Sequence, residues 1–339
     1  HNDTILKLEL AARRGLRVDF AAGAPGLHID LPRARMAGFA GGLFALYTPP
    51  CAAAPLPGAP DDDPAAFAPV ARQGALDFTL ALFARLRRLA RALPEDLAIC
   101  TGSAALRAEM SAGRIAVLPH LEGAEAIDTD LAALETLHAA GLRSLGPVWS
   151  RPNAFGHGAP MARQPEPDPG GGLTDAGRAL VRACEALGIL VDTAHMTQTA
   201  FWDTARIATR PLVASHSNAH ALSPNARNLT DRQLDAIAET GGLVGLNFHA
   251  AFLRADCAGD PDTQLETCIR HLDHLLGRLG ERGVALGSDL DGCDPPVALA
   301  DVSGLPRLVE AMRRAGYGEA LIARICRENW LDLLERSGV

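Results

Sequence analysis

The sequence predicts a single (β/α)8 barrel with extra C-terminal helices. Apolar segments of strand length alternate with helical segments at roughly even intervals along all 339 residues, which gives a count of eight strands. No change in composition divides the chain, so we expect residues 1–339 to form one domain. Histidine and acidic residues recur where the predicted strands end. Because these ends surround one site in a barrel, we expect the side chains to meet there.

The composition is that of a globular protein that binds no nucleic acid and spans no membrane. Hydrophobic residues make up 48% and charged residues 21%, and the net charge of −8 argues against a nucleic-acid binder. The one basic run, RLRR at 85–88, is expected to close a helix opened by DDDP at 61–64 and to complement its dipole. The best apolar stretch, 36–47, contains three glycines and stops at Pro49 and Pro50, so it is too short to cross a bilayer.

The cysteines give no sign of covalent cross-linking. There are seven of them and no CxxC pair, so neither a disulfide framework nor a thiolate zinc site is indicated. A reducing, cytoplasmic location is the simplest expectation.

The first half of the chain supplies four predicted strands and three candidate metal ligands. His1 and Asp3 would face the same side of a first strand, most of which is expected to precede residue 1. Glu122 lies just past the third strand, and the fourth strand ends at Trp149. The predicted segments are a helix at 5–14, a strand at 39–47, a loop at 48–63, a helix at 64–93, a strand at 115–118, a helix at 128–140 and a strand at 141–149.

A long loop and a well-marked helix separate the fourth and fifth strands. The loop, 150–172, is dense in proline and glycine, and a loop of this length is typical of a lid or a binding loop. The helix, 173–188, has Thr174 as a candidate N-cap, Asp175 in its first turn and Gly188 at its end.

Two neighbouring strands in the middle of the chain are each followed by a histidine. The apolar runs 189–193 and 211–214 lead to His195 and His216, with an amphipathic segment between them. The spacing of 21 residues suits one strand–helix–strand crossover. Both imidazoles are therefore expected at the same edge of a parallel sheet, where they could share one metal ion.

The last third supplies two strands and further polar groups. Arg227 lies in the loop after the sixth strand, which would place it on the rim of the site. The eighth strand ends in DLDG, with Asp289 and Asp291. The remaining segments are a helix at 231–239, a strand at 242–247, a helix at 262–281, a strand at 284–288 and helices at 302–315 and 318–335.

The strand-end residues form a donor set that suits a metal ion. Nitrogen and oxygen donors of this kind favour zinc, with manganese, iron or cobalt as alternatives. Five ligands exceed the four of a tetrahedral zinc, so two ions fit better, with a carboxylate bridging them. Paired ions can hold a hydroxide and lower the pKa of bound water from 15.7 to about 7, which implies hydrolysis. The predicted ligands are His1, Asp3, Glu122 as the bridge, His195 and His216.

Two further residues have candidate roles in such a reaction. Asp289, outside the ligand set, could take the proton of the water and pass it to the leaving amine, with Asp291 as its competitor. Arg227 could clamp a substrate carboxylate with its planar fork. A surface arginine is the alternative interpretation of Arg227.

The chain resembles the renal or membrane dipeptidase family, the M19 metallopeptidases of the amidohydrolase superfamily, over essentially its whole length. The resemblance implies an amidohydrolase-like barrel with a binuclear zinc centre that hydrolyses dipeptides, often with a D-residue at the C-terminal position, in a homodimer. The matching motifs are HND (1–3), HIDLPR (28–33), LEGA (121–124), GLR (141–143), GLTDAGRALV (172–181), VDTAHMT (191–197), SHSNA (215–219), ARN (226–228) and SDLDG (288–292).

Carried over by motif, the resemblance divides the ligands between two metals. His1 and Asp3 would hold one ion, His195 and His216 the other, and Glu122 would bridge them. Arg227 would bind the C-terminal carboxylate of the substrate. Asp289 would be the acid/base.

Two departures from the family pattern qualify this expectation. The family commonly has a substrate-binding His or Tyr after the fourth strand, where this chain has Trp149, whose indole can donate one N–H but cannot ionise. His157, eight residues on, is the candidate to replace that contact. Nothing resembles the lipid-anchor tail or the disulfides of the animal membrane forms, so we expect a soluble enzyme of the bacterial type.

Two alternatives to a dipeptidase remain open at this point. Trp149 could signal another amide substrate, such as an N-acyl amino acid, or a lactone, hydrolysed by the same metals. The chain could also be a non-catalytic binding homologue, although the intact ligand set argues against this reading.

Overall fold

The computed structural model describes residues 1–50, 67–165 and 170–339. Its strands are β1 (Gly41–Tyr47), β2 (Leu97–Ile99), β3 (Ile115–Glu122), β4 (Ser144–Gly146), β5 (Leu190–Val191), β6 (Val213–Ala214), β7 (Leu243–Asn247) and β8 (Val284–Ser288). Its α-helices are α1 (Thr4–Arg13), α2 (Leu31–Ala37), α3 (Arg72–Ala92), α4 (Ser103–Ser111), α5 (Ala132–Ala139), α6 (Asp175–Leu187), α7 (Gln198–Ile207), α8 (Asp231–Glu239), α9 (Ala250–Leu253), α10 (Leu265–Leu279), α11 (Leu305–Arg314), α12 (Glu319–Ala323) and α13 (Asn329–Arg336). Within these residues, no helix combines the length and apolar character needed to cross a membrane.

Parallel pairing joins the strands into a ring of eight members. One sheet runs β1-β3-β4-β5 and the other β6-β7-β8. A parallel bridge from Asp192 to Val213 links the two sheets. On the other side, Asn2 bridges both Phe44 of β1 and Leu290, which follows β8. The predicted α/β fold with parallel strands is confirmed, and the bridges at Asp192 and Asn2 join its two sheets in the order of the predicted barrel.

A cavity lies beside Asn2 in the wall of the barrel. It measures about 360 Å³ and lies between β1 and β8. Gly41 and Leu43 line one wall, and Leu286 and Ser288 line the other.

The inward faces of the strands change from apolar to polar along the barrel. In β3, alternate residues point to the same side, which puts Ala116 and Leu118 in line with His120 and Glu122. The first two belong to an apolar cluster that also contains Leu334 of α13, whereas the last two are buried polar side chains. The polar ends of the strands, at the opposite end from this cluster, therefore form the candidate site.

Several predicted boundaries were wrong. The strand predicted at 141–149 is only Ser144–Gly146, because Pro147 has no N–H with which to continue the pairing. The helix predicted from residue 64 begins at Arg72, since Pro69 disfavours a helix before it. Consequently RLRR does not close a helix opened at 61–64, a segment that lies outside the described residues, as does most of the predicted loop at 48–63.

Two elements were not predicted, and one predicted helix is divided in the structure. β2 and α4 were not predicted, because a three-residue strand leaves no periodic signal. The helix predicted at 318–335 is divided by a wider turn at Arg324–Glu328. In contrast, Thr174 caps α6 through the N–H of Gly177, and Gly188 ends it in the left-handed conformation, as predicted.

Candidate metal centre

The predicted ligands come together at the carboxyl ends of the strands. His1 and Asp3 flank the bridging Asn2, and Glu122 is the last residue of β3. His195 and His216 follow β5 and β6. All five side chains are buried, the most exposed being His1 at 6%.

One carboxylate oxygen lies at the centre of the cluster. Glu122 Oε1 is 2.8 Å from His195 Nε2, 3.5 Å from His1 Nε2 and 3.5 Å from His216 Nε2. The Nε2 atoms of His195 and His216 are 3.0 Å apart. Three imidazoles therefore point at a single carboxylate, in the arrangement expected of a bridging ligand between two ions.

A second group of donors adjoins the first through His1. Its Nε2 lies 3.5 Å from Asp3 Oδ2 and 4.0 Å from Asp289 Oδ1. The donor atoms of His1, Asp3 and Asp289 all lie within 4.8 Å of one another, as do those of His1, Glu122 and His216. Asp289, predicted to lie outside the ligand set, thus lies directly beside the candidate ligands His1 and Asp3.

The chemistry of these donors fits a divalent metal. Both ring nitrogens of His1 are buried and lack a hydrogen-bond partner in the described part of the chain. A buried polar group left in this state costs about 1–3 kcal/mol, which a bound cation would offset. Imidazole nitrogens and carboxylate oxygens are also the ligands that zinc takes in catalytic sites.

The electrostatics of the cluster favour a cation as well. Burial opposes a charge on His1, but Glu122 and Asp3 outweigh it and raise the pKa of this imidazole well above its usual value. Burial raises the pKa of Glu122 to about 7, with the negative charge of Asp3 contributing. Burial lowers the pKa of His195 and of His216, which keeps both rings neutral, the state in which they can bind a metal.

Asp289 is held by its backbone and by one amide. Its φ of 67° lies in the left-handed region, and its N–H donates to the carbonyl of His1 at 3.1 Å. Asn247 Nδ2 donates to Asp289 Oδ2 at 2.9 Å, which leaves Oδ1 on the side of His1. A Cβ at Gly292 would lie 2.6 Å from that Oδ1 and 2.3 Å from Asp3 Oδ2, so only glycine leaves room for both carboxylates.

Asp291, the alternative candidate for the acid/base role, forms hydrogen bonds away from the candidate metal ligands. It accepts hydrogen bonds from Thr4 Oγ1 and the backbone N–H of His28, both at 2.7 Å. It also accepts from the N–H of Ile29 at 3.3 Å. These hydrogen bonds tie the end of β8 to α1 and to the segment before α2, and they engage both carboxylate oxygens of Asp291.

Arg227 is buried beside the histidines and does not lie on the rim. Its exposed fraction is 2%; Nη1 donates to the carbonyl of Ala194, and Nη2 lies 3.4 Å from His195 Nε2. Among the described residues, its Nε has no hydrogen-bond partner and no carboxylate forms an ion pair with the guanidinium. Burial lowers the pKa of Arg227 to about 10, against the pull of Asp289 and Glu122. A buried cation without a paired anion is suited to binding a carboxylate.

The two remaining candidates lie in different surroundings. Trp149 is half-buried, with its ring centroid 5.8 Å from that of His195 and 4.9 Å from that of Tyr47. His157 is an exposed loop side chain, close to Gly171. In the described residues it makes no ring contact or hydrogen bond with the candidate ligands.

Sequence reasoning missed several polar residues of the site. Asn247 is the last residue of β7, so the strand-end rule that found Glu122 would also have found it. His120, two residues before Glu122 on the same face of β3, is fully buried, and its Nδ1 lies 2.9 Å from Ser144 Oγ. Asp192, directly after β5, accepts hydrogen bonds from Ser215. Asp192 therefore also lies at a strand end, whereas His120 lies within β3, where the strand-end rule does not apply.

The fold and the donor set define a metal-dependent hydrolase built on an α/β barrel. A family model described as membrane dipeptidase, peptidase family M19, matches residues 1–337. The chain therefore belongs to the M19 family of metallodipeptidases, as the sequence motifs predicted.

Solved structures agree with this assignment, and a curated relative matches much of the chain. A dipeptidase described as a metallopeptidase of family M19 is 45% identical, with a TM-score of 0.89 over 100% of this chain and 98% of its own. A Rhodobacter sphaeroides metallopeptidase, liganded with a phosphinate mimic of L-Ala-D-Ala, is 43% identical, with a TM-score of 0.88 over 99% and 97%. A Klebsiella pneumoniae protein from the pqqA 5′ region is 49% identical over 221 residues, 65% of this chain and 82% of its own.

Proposed function

We propose that this chain is a two-zinc dipeptidase that accepts a D-residue at the C-terminal position of its substrate. The observation that carries the proposal is the convergence of His1, His195 and His216 on Glu122 Oε1, beside the unpaired Arg227. The liganded Rhodobacter sphaeroides relative supports the substrate class, because its ligand mimics L-Ala-D-Ala.

The donors divide into two sets that share Glu122. His1 and Asp3 would hold one zinc ion, His195 and His216 the other, and the Glu122 carboxylate would bridge them. Bound together, the ions would polarise the scissile carbonyl and lower the pKa of the attacking water. Because these side chains are buried, a substrate bound against them would be shielded from bulk water.

Arg227 would bind the C-terminal carboxylate of the dipeptide. Its free Nε and its Nη2, close to His195, provide donors on the side of the histidines. A carboxylate seated there would pair the buried charge and place the peptide bond over the metal ligands. Trp149, in contact with the ring of His195, would form an adjacent wall of the substrate site.

Asp289 would move the proton. Its Oδ1 lies on the side of His1, and the Asn247 amide holds Oδ2, so one oxygen is left to take a proton from water and deliver it to the leaving amine. Burial raises the pKa of Asp289, with Asp3 contributing and His1 opposing, which brings the carboxylate closer to the range where it can give the proton back.

A substrate panel on the zinc-loaded protein tests this function. We expect turnover of L-Ala-D-Ala and L-Ala-L-Ala, and its loss on chelation with recovery on adding zinc. N-acetyl-D-alanine and a homoserine lactone represent the alternative substrates that Trp149 suggested. Hydrolysis of either of these without hydrolysis of any dipeptide would contradict the proposal.

A further inference from the structure

A chain of buried polar groups lies behind His216. Its Nδ1, on the far side of the ring from Glu122, is 2.7 Å from Ser215 Oγ. The same Ser215 Oγ forms a short hydrogen bond with Asp192 Oδ2. Their exposed fractions are 1% for His216, 0% for Ser215 and 3% for Asp192, so no bulk water competes for these bonds.

The direction of each hydrogen bond follows from the number of protons. The Asp192 carboxylate is only an acceptor, and its Oδ1 already accepts the N–H groups of Ser215 at 2.8 Å and Ala194 at 3.1 Å. The single hydroxyl proton of Ser215 must then go to Oδ2 of Asp192. Ser215 Oγ is left as an acceptor, so His216 Nδ1 must carry a hydrogen.

A neutral imidazole with hydrogen on Nδ1 has a bare Nε2. That nitrogen of His216 is the one that points at Glu122 Oε1, at 3.5 Å, and at His195 Nε2, at 3.0 Å. The lone pair is therefore directed at the position of the proposed metal before any ion arrives.

His195 offers a comparison within the same site. Its Nδ1 lies 2.9 Å from Ser150 Oγ, but no carboxylate contacts Ser150 among the described residues. The Ser150 hydroxyl can therefore donate or accept, and it does not select one tautomer of His195.

We propose that Asp192 is a positioning residue that acts through Ser215 to hold His216 in the tautomer whose Nε2 can bind a metal. This inference rests on the proposed function in one respect, the role of His216 as a ligand. Partners of this kind typically contribute about 10- to 100-fold in metal affinity.

The substitution Asp192→Asn should reverse the chain of hydrogen bonds. The new amide oxygen would keep the place of Oδ1, because two backbone N–H groups donate there. The amide NH2 would then face Ser215 and donate to its Oγ. The Ser215 hydroxyl would be turned towards His216 Nδ1, and the hydrogen would move to Nε2, where it blocks the metal.

The first measurement is the zinc affinity of the metal-stripped full-length protein, by competition with a chromophoric chelator. We expect Asp192→Asn to weaken one of the zinc sites by about 10- to 100-fold. Adding Ser215→Ala to it should restore part of the affinity, because the misdirected hydroxyl is gone. Ser150→Ala is the matched control and should change affinity less than Asp192→Asn does. Unchanged affinity in Asp192→Asn, or no recovery in the double variant, would overturn the inference.

The second measurement is the 15N imidazole spectrum of the metal-free wild type, with His216→Gln to assign the signals. We expect hydrogen on Nδ1 of His216, whereas hydrogen on Nε2 would contradict the inference even if the substituted proteins failed to fold. A wild type with the expected tautomer that binds no zinc would instead disprove the proposed function alone.

Discussion

The two halves of the candidate metal centre are held in different ways. On the side of β5 and β6, the rings of His195 and His216 are each fixed by a serine hydroxyl, at 2.9 and 2.7 Å. On the side of β8, the ring of His1 has no hydrogen-bond partner among the described residues, and its carbonyl is anchored by Ser288 Oγ at 2.7 Å and the N–H of Asp289 at 3.1 Å.

The difference indicates that one half is organised before metal binds and the other depends on it. The ring of His1 is stacked on that of His216, with centroids 3.9 Å apart. Its position therefore depends on the half whose rings are held by hydrogen bonds. A ligand set fixed in advance loses less conformational freedom on binding. We therefore expect the half with His195 and His216 to take its ion first.

The largest expected effect concerns the proton carrier in the half with His1. Asp289→Asn should lower kcat by about 10²- to 10⁴-fold while zinc content stays the same, because the amide can neither accept nor deliver the proton. Steady-state kinetics with L-Ala-D-Ala and metal analysis measure both quantities.

Asp291→Asn is the matched control for that substitution. Asp291 is bonded to Thr4 and to the backbone of His28, so its replacement should lower the melting temperature and leave kcat close to the wild-type value. The reverse result, with kcat lost in Asp291→Asn and kept in Asp289→Asn, would exchange the two roles.

An intermediate effect is expected for the cation beside the other half. Arg227→Ala should raise KM by about 10- to 100-fold, since a hydrogen-bonded contact between charged groups contributes about 1.5–3 kcal/mol. Arg232→Ala, which removes the same charge from a side chain over the ring of Trp202, is the control and should leave KM unchanged. An unchanged KM in Arg227→Ala with metal retained would remove the carboxylate clamp from the proposal.

The smallest expected effect is a pH-dependent loss of stability caused by His271, which contacts the loop that follows β6. His271 Nδ1 accepts from the N–H of Ala219 at 3.2 Å, and its Nε2 donates to the carbonyl of Leu253 at 3.0 Å, a pattern that requires the neutral ring. Burial lowers the pKa of His271 to about 4. As the pH falls, the unfolded chain therefore binds the proton first. The stabilisation that the neutral His271 gives the folded state is complete above about pH 6.5 and is lost as the pH falls towards 4.

Urea unfolding of the metal-free protein at pH 7.5 and pH 5 checks the sign. Between pH 7.5 and pH 5, the free energy of unfolding of the wild type should fall by on the order of 2 kcal/mol more than that of His271→Gln. Each pH unit below the unfolded pKa costs about 1.4 kcal/mol. An equal loss in both proteins would show that His271 does not titrate in this window.

The candidate ligands could be predicted because their position depends on a local pattern. A histidine or carboxylate that ends an apolar run lies at the carboxyl end of a strand, and a barrel gathers those ends at one site. This reasoning located Glu122, His195 and His216 without any knowledge of distances.

The surroundings of the ligands could not be predicted in the same way. The burial of Arg227 depends on how its loop folds over the barrel, and no local pattern encodes that path. Whether Asp289 or Asp291 faces the site depends on the left-handed backbone at both positions, with φ of 67° at each. The chain from Asp192 through Ser215 joins two strand ends in space, so only the packed structure shows it.

Anomalous diffraction at the zinc absorption edge, from crystals at increasing zinc concentration, tests the two-ion centre most directly. We predict two peaks on either side of the Glu122 carboxylate, the one beside His195 and His216 appearing first and the one beside His1 and Asp3 second. A single peak at saturating zinc would contradict the account. So would a peak in the alternative group formed by His1, His120 and Asp192, whose donor atoms also lie within 4.8 Å of one another.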